Sequence, residues 1–184
     1  MSGRPVVYYV AMSLDGFIAD AGGGVGWLDE FQEDGADHGY GDFYAEVGDV
    51  VMGRASYEQV LGFDVAFPHA DRPVWVASGT LDLPLAADTV CISREPAAEV
   101  VARLKGQATP GVIWLVGGSK LAASLWDDGL VDELRVFVMP TVLGEGIPLL
   151  AVPHARRRVK RTLTKPWPSG AVELRYEAAE LTGA

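Results

Sequence analysis

Twice in this chain a short run of β-branched residues ends on glycine and passes without a gap into a helix-forming segment. The first is Val50-Val51-Met52-Gly53-Arg54-Ala55-Ser56, leading to a helix from about Tyr57 to Leu61. The second is Val112 to Val116 (VIWLV), then Gly117-Gly118-Ser119 and a helix to about Trp126. Runs this short cannot be helices; continuous apolar character marks them as strands buried on both faces. Three further runs fit the same reading: Pro5 to Met12, Pro73 to Ala77 and Thr89 to Ile92. Between the last of these and Val112 lies an amphipathic helix, Ala97 to Lys105, with Val100, Val101 and Leu104 on one face. Strand alternating with helix predicts an α/β fold with a largely parallel sheet and helices on both faces. After Val131 the rhythm changes. Leu134 to Met139, Arg158 to Thr164 and Ala171 to Glu177 read as strands, the last two joined by the turn-rich Lys165 to Gly170, which adds an antiparallel hairpin. No repeat or linker interrupts the chain, so residues 1–184 are expected to form one domain.

Charge and cysteine content narrow the function. With 15 Lys and Arg against 25 Asp and Glu the net charge is -10, which repels phosphate backbones and anionic membranes, so no nucleic-acid or membrane partner is expected. Cys91 is the only cysteine, which rules out an intramolecular disulfide and any Cys-x-x-Cys motif. The N-terminal segment lacks the features of a secretion signal and no run of about 18 apolar residues occurs, so a cytoplasmic protein is expected. Glycine, 22 of 184 residues, is in excess, and many backbone positions must be tight or close to something.

Glycines between a strand and a helix let the backbone approach a phosphate while the helix N-terminus offers its unpaired N–H groups. Gly117-Gly118-Ser119 is one such turn, and Gly53 and Arg54 with the hydroxyl of Ser56 form another. Two such sites in one sheet suggest a long, doubly anionic ligand. Ser78-Gly79-Thr80 adds hydroxyls at the same carboxyl edge, where open α/β sheets bind ligands. The competing reading is a pair of tight turns with no ligand, since neither Gly-x-Gly-x-x-Gly nor a Walker motif is present. His38, His69 and His154 lack metal-ligand spacing and read as solvated loop residues, so no metal is expected. No Gly-x-Ser-x-Gly elbow and no zinc-deaminase signature occurs. Asp29, Glu30, Glu33, Asp34 and Asp37 read as a solvated acidic face, one member of which could protonate or anchor a substrate. Arg156-Arg157-Arg158 with Lys160 and Arg161 reads as an exposed edge strand protected by charge.

Four segments in order carry a family resemblance. They are Ala11-Met12-Ser13-Leu14-Asp15-Gly16-Phe17-Ile18-Ala19; Val51-Met52-Gly53-Arg54-Ala55-Ser56-Tyr57-Glu58; Leu115-Val116-Gly117-Gly118-Ser119; and Val131-Asp132-Glu133-Leu134 leading to Pro140 through Leu149. From Val6 to about Tyr176 the chain resembles the dihydrofolate reductase-like fold, in the branch of the C-terminal reductase domain of the bifunctional riboflavin-biosynthesis deaminase/reductase. The resemblance implies a three-layer sandwich, a mixed and mostly parallel sheet with a C-terminal antiparallel hairpin, in a stand-alone member that forms a homodimer. It implies NADPH and hydride transfer to an electron-poor C=N or carbonyl carbon of a small heterocycle: a pterin, a folate or a ribosylaminopyrimidine. Carried over by position, Ala11 and Ile18 would hold the carboxamide through their backbones. Gly53, Arg54 and Ser56 would receive phosphate, Ser78 and Arg94 the adenosine 2′-phosphate, and Gly117, Gly118, Ser119, Lys120 and Leu121 would form the second pyrophosphate wall.

Departures fall on the substrate side. Riboflavin-pathway reductases of this type usually place a lysine and an arginine where this chain has Phe17 and Ala45, neither of which offers charge to a ribose phosphate. The carboxylate that dihydrofolate reductases place after the lid falls on Asp37, the expected catalytic residue, and its threonine partner on Phe137. Trp27 and Phe137 are the expected substrate wall, with the loop from Gly22 to Trp27 as a closing lid. The alternative from another class is a noncatalytic nucleotide-binding protein that retains the cofactor groove.

Overall fold

The computed structural model describes residues 3–31, 37–79, 82, 85–151 and 156–178. Its centre is an eight-stranded sheet. Six strands run parallel: β1 (Val6–Ser13), β3 (Val47–Gly53), β4 (Val74–Ala77), β5 (Val90–Ser93), β6 (Val112–Gly117) and β7 (Glu133–Met139). β9 (Val159–Pro166) and β10 (Val172–Ala178) form the antiparallel hairpin, giving the order β5-β4-β3-β6-β1-β7-β10-β9. A separate two-stranded ladder pairs β2 (Phe17–Ala19) with β8 (Ile147–Pro148).

Alternation along the strands divides the core into two layers. Val6, Tyr8, Val51, Ile113, Leu115, Leu134 and Val136 face α3 (Ala97–Lys105) and α4 (Ser119–Asp127), which contribute Val100, Val101, Leu104, Ala122, Leu125 and Trp126. Val7, Val50, Met52, Val74, Val76 and Trp114 face the other way, toward Phe43 of α1 (Tyr40–Glu46) and Tyr57 of α2 (Arg54–Leu61). The result is helix, sheet, helix, with every core strand apolar on both sides as its sequence requires.

Several boundaries differ from the sequence reading. β3 begins at Val47 rather than Val50, because Asp49 is drawn inward by Arg4: Nη1 of Arg4 donates to Oδ2 at 2.6 Å, and the indole N–H of Trp75 donates to Oδ1 at 3.0 Å. α2 starts at Arg54, three residues before the expected Tyr57, because extended Gly53 serves as its N-cap. Before β3 the chain makes a 3-10 turn at Gly26–Phe31 and then α1; Glu33 and Asp34 lie outside the described residues, as do Thr80 and His154. His69 was expected in solvent and is 5% exposed, packed edge-on against Phe67 and Trp114. His38 is half-buried and within 2.7 Å of the Ser169 hydroxyl. β9 is the outer strand of the sheet, with Lys160 and Arg161 exposed along it, as charge protection of an edge requires.

Candidate functional site

The sheet order creates a crevice between β3 and β6. From β3 the chain crosses through α2 on one face toward β4; from β6 it crosses through α4 on the opposite face toward β7. Neighbouring strands whose connections leave in opposite directions form a topological switch point, where α/β sheets bind ligands beyond the carboxyl ends. Both helices that start here lack a side-chain cap: Gly53 precedes α2, Gly118 precedes α4, and neither carries an oxygen to pair with the first amides.

The two turns touch. A Cβ on Gly118 would lie 3.3 Å from Oγ of Ser56, one on Gly117 3.6 Å from the same atom, and one on Gly53 3.6 Å from the Gly118 amide nitrogen. Gly117 has φ +136°, which L side chains rarely adopt, so glycine is needed there for conformation as well as space. The Ser119 hydroxyl is donated to the Pro148 carbonyl, tying α4 to β8. Lys120 is exposed beside it and Leu121 half-buried. Nε of Arg54 pairs with Glu58 at 2.8 Å on the exposed side of α2. Further along the edge the Ser78 amide donates to the Ser93 carbonyl at 3.0 Å, which joins the turns after β4 and β5 and sets exposed Arg94 beside them.

At the other end of this row, Ala11 lies on β1 and Ile18 on β2, both half-buried. The turn between those strands is locked. The Ser13 hydroxyl donates to Asp15 at 2.6 Å, and Asp15 accepts the amides of Leu143 and Gly144 at 3.1 and 2.7 Å. The Ser13 hydroxyl foremost, with those amides, holds the Asp15 carboxyl below the usual range. The glycine loop expected to act as a lid is tied by Asp20, which accepts the Gly22 and Gly24 amides, and by Gln59 of α2, which donates to the Gly23 carbonyl at 2.7 Å.

Beyond Ala11, on the α1 face, opens a small cleft of about 70 Å³ whose lining includes Tyr9, Phe137, Lys165, Trp167, Glu173 and Arg175. Trp27 and Phe137, the expected substrate wall, meet in one apolar cluster with Met139 and Ala171. Asp37, the expected catalytic residue, lies just before α1. Its carboxylate accepts the amides of Gly39 and Gly41 at 2.8 and 3.1 Å at the head of α1, and those two bonds hold its pKa below the ordinary value. Tyr9 is the opposite case: burial first, then the charges of Glu173 and Asp37, push its phenol well above its ordinary value, so it stays protonated.

The residue that sequence reasoning missed is Glu173. It is 2% exposed, lines the cleft, and pairs with Nε of Arg175 at 2.5 Å. Its strand alternates Val172, Leu174, Tyr176 against Glu173, Arg175, Glu177, which reads as one buried and one solvated face.

Comparison with known proteins agrees with this architecture. The family model described as the RibD C-terminal domain matches residues 4–171. The protein YwjB of Bacillus subtilis (strain 168) is 38% identical over 176 residues, covering 96% of this chain and 99% of that one. A protein from Shewanella sp. PV-4, provisionally assigned to riboflavin biosynthesis, superposes with a TM-score of 0.85 at 25% identity over 98% of this chain and 100% of that one. Dihydrofolate reductase from Enterococcus faecalis, solved with NADP(H), superposes with a TM-score of 0.70 at 16% identity over 98% of this chain and 100% of that one, a likeness of fold alone. With a doubly flanked sheet, its antiparallel hairpin and a family match running through both glycine turns, the chain belongs to the RibD C-terminal domain family.

Proposed function

We propose that the chain is an NADPH-dependent reductase that delivers hydride to an electron-poor C=N or carbonyl carbon of a small planar heterocycle. The observation that carries this reading is the meeting of two uncapped helix N-termini across glycine turns at the switch point of the sheet. Such a pair suits a pyrophosphate, with the positive ends of two helices brought to one place. Gly53, Arg54 and Ser56 would form one wall, and Gly117, Gly118, Ser119, Lys120 and Leu121 the other. The strand order supports an extended dinucleotide: from β1, where Ala11 and nearby Ile18 would hold the carboxamide, to β4 are three strand spacings, roughly 14 Å. Ser78 and Arg94 then stand at the end where a 2′-phosphate would lie. In a chain of net charge -10 these local cations favour an anionic cofactor that the rest of the surface repels.

When bound, the cofactor supplies the hydride. Ala11 and Ile18 would fix which face of the ring is offered, and the tied loop before Trp27 would limit water at the reacting carbon. We take the chain to act in the cytoplasm and as a homodimer; among the described residues no helix is long and apolar enough to cross a membrane. Titration with NADPH and NADH, read through the five tryptophans, tests the cofactor assignment. NADPH is expected to bind at least about tenfold tighter than NADH; equal or absent binding of both would refute it. A noncatalytic nucleotide-binding protein would bind NADPH in the same way and consume none across a screen of pterins, flavin precursors and small carbonyls.

A further inference from the structure

The cleft on the α1 face combines three features, two of them on residues outside the expected site. The first is a carboxylate taken out of water. Glu173 is 2% exposed, and such burial is costly unless the charge is paired and its lone pairs are used. Arg175 takes Oε1 at 2.5 Å, and the carboxylate lines the cleft. The second is a donor without an acceptor. The indole nitrogen of Trp167, in the lining of the same cleft, is buried and has no hydrogen-bond partner among the described residues. Buried indole N–H groups usually find one. The third is an aromatic pair in the same lining: Phe137 is 4% exposed, and its ring centroid stands 4.8 Å from that of Tyr9, the two rings tilted by 49°.

Register places this constellation beside the reacting end of the cofactor site. Ala11 pairs with Phe137 and Phe137 with Glu173, so the three sit on adjacent strands in one row, facing the same side of the sheet. Two strand spacings, roughly 10 Å, separate the backbone of Glu173 from that of Ala11. We infer that Glu173 is a substrate-recognition residue, its carboxylate accepting a ring N–H while the Trp167 indole donates to an adjacent carbonyl, so that the ligand presents the amide edge of a planar lactam heterocycle. Arg175 is a positioning residue, holding the carboxylate in the cleft through Oε1. The inference rests on the reductase reading for the identity of the neighbouring site, but the donor and acceptor that define it belong to the cleft alone.

The probe is 4-pyrimidone, whose amide edge carries one N–H and one carbonyl, against its N3-methyl derivative, which has lost the N–H. The readout is the set of tryptophan indole N–H signals in the NADPH-loaded protein, with Trp167 assigned by its loss in Trp167→Phe. Titration with 4-pyrimidone should move the Trp167 signal, the methylated ring at the same concentration should not, and Glu173→Gln should weaken the pyrimidone by roughly tenfold or more, as loss of a charge-assisted bond does. NADPH affinity should be unchanged in Glu173→Gln, which separates this site from the cofactor site. Equal response to both rings, or affinity within about twofold in Glu173→Gln, would overturn the inference. The ligand-side comparison stands even if that variant fails to fold. Should NADPH fail to bind, the same titration of the unloaded protein still decides the role of Glu173, while the reductase reading falls by itself.

Discussion

Arg4 and Asp49 form the most deeply enclosed ion pair among the described residues, at 2.6 Å with side chains 7% and 5% exposed. Asp49 also accepts the Trp75 indole N–H, and Nε of Arg4 donates to the Gly111 carbonyl at 2.9 Å. Asp49→Ala would leave a guanidinium buried without its counter-charge and strand the Trp75 donor. Nη2 of Arg4 already lacks a partner, so the guanidinium has little left to turn to. Breaking one side of such a pair costs about 3–5 kcal/mol. An unfolding entropy of about 2.1 cal/mol/K per residue gives roughly 0.39 kcal/mol/K for 184 residues, so the melting temperature should fall by roughly 8–13 °C. Circular dichroism melts of the wild type, Asp49→Ala, Arg4→Met and the double variant provide the test. The double variant should be more stable than Asp49→Ala alone, because it removes the stranded charge. NADPH affinity should not change, since the pair binds the start of β3 to the chain before β1, at the sheet edge opposite the glycine turns. A fall of less than about 3 °C, the scale of an exposed pair, or strictly additive effects, would refute the reasoning.

Three other predictions are local. Gly118→Val places a branched side chain where Cβ alone already comes within 3.3 Å of Ser56 Oγ, and should weaken NADPH roughly tenfold or more while the fold persists, as fluorescence titration and a thermal melt would show. Burial holds the pKa of His69 below its ordinary value of 6.5, so the unfolded chain takes up the proton first and the folded state loses stability as the pH falls below that value. Urea unfolding at neutral and mildly acidic pH should show a smaller acid loss in His69→Phe than in the wild type. Asp15→Asn removes the charge that gathers the Ser13 hydroxyl and the Leu143 and Gly144 amides, and those two amides should exchange with deuterium several-fold faster. In the wild type the same restraint is present above the ordinary carboxylate range and is lost as the pH falls through the lowered pKa of Asp15.

What could be read from the sequence follows from how local the cause was. The parallel strands declared themselves because burial on both faces demands unbroken apolar runs, and the two glycine turns because a strand ending on glycine before a helix has few other readings. β2 and β8 did not, since three residues and two residues carry no period and exist only through their pairing with each other. The start of β3 was hidden because Gly48 and Asp49 break its apolar run, and only the distant Arg4 makes a buried aspartate acceptable there. His69 looked solvated for the same reason: its aromatic neighbours Tyr44, Phe67 and Trp114 come from three separate segments. The bonds that Asp37 makes to the Gly39 and Gly41 amides were not legible, because its partners are backbone amides that any sequence has. Glu173 was missed because a strand's polar face is solvated by default, and α1, which lines the cleft over this one, lies far away in the chain.

Backbone amide exchange with and without NADPH tests the central claim most directly, followed at Arg54, Ala55 and Ser56 on α2 and at Ser119, Lys120 and Leu121 on α4. If the two uncapped helix starts hold one pyrophosphate, NADPH should protect both sets together and at the same concentration, with Gly118→Val abolishing the protection of both. Protection confined to one helix, or falling elsewhere while these amides stay unchanged, would contradict the account.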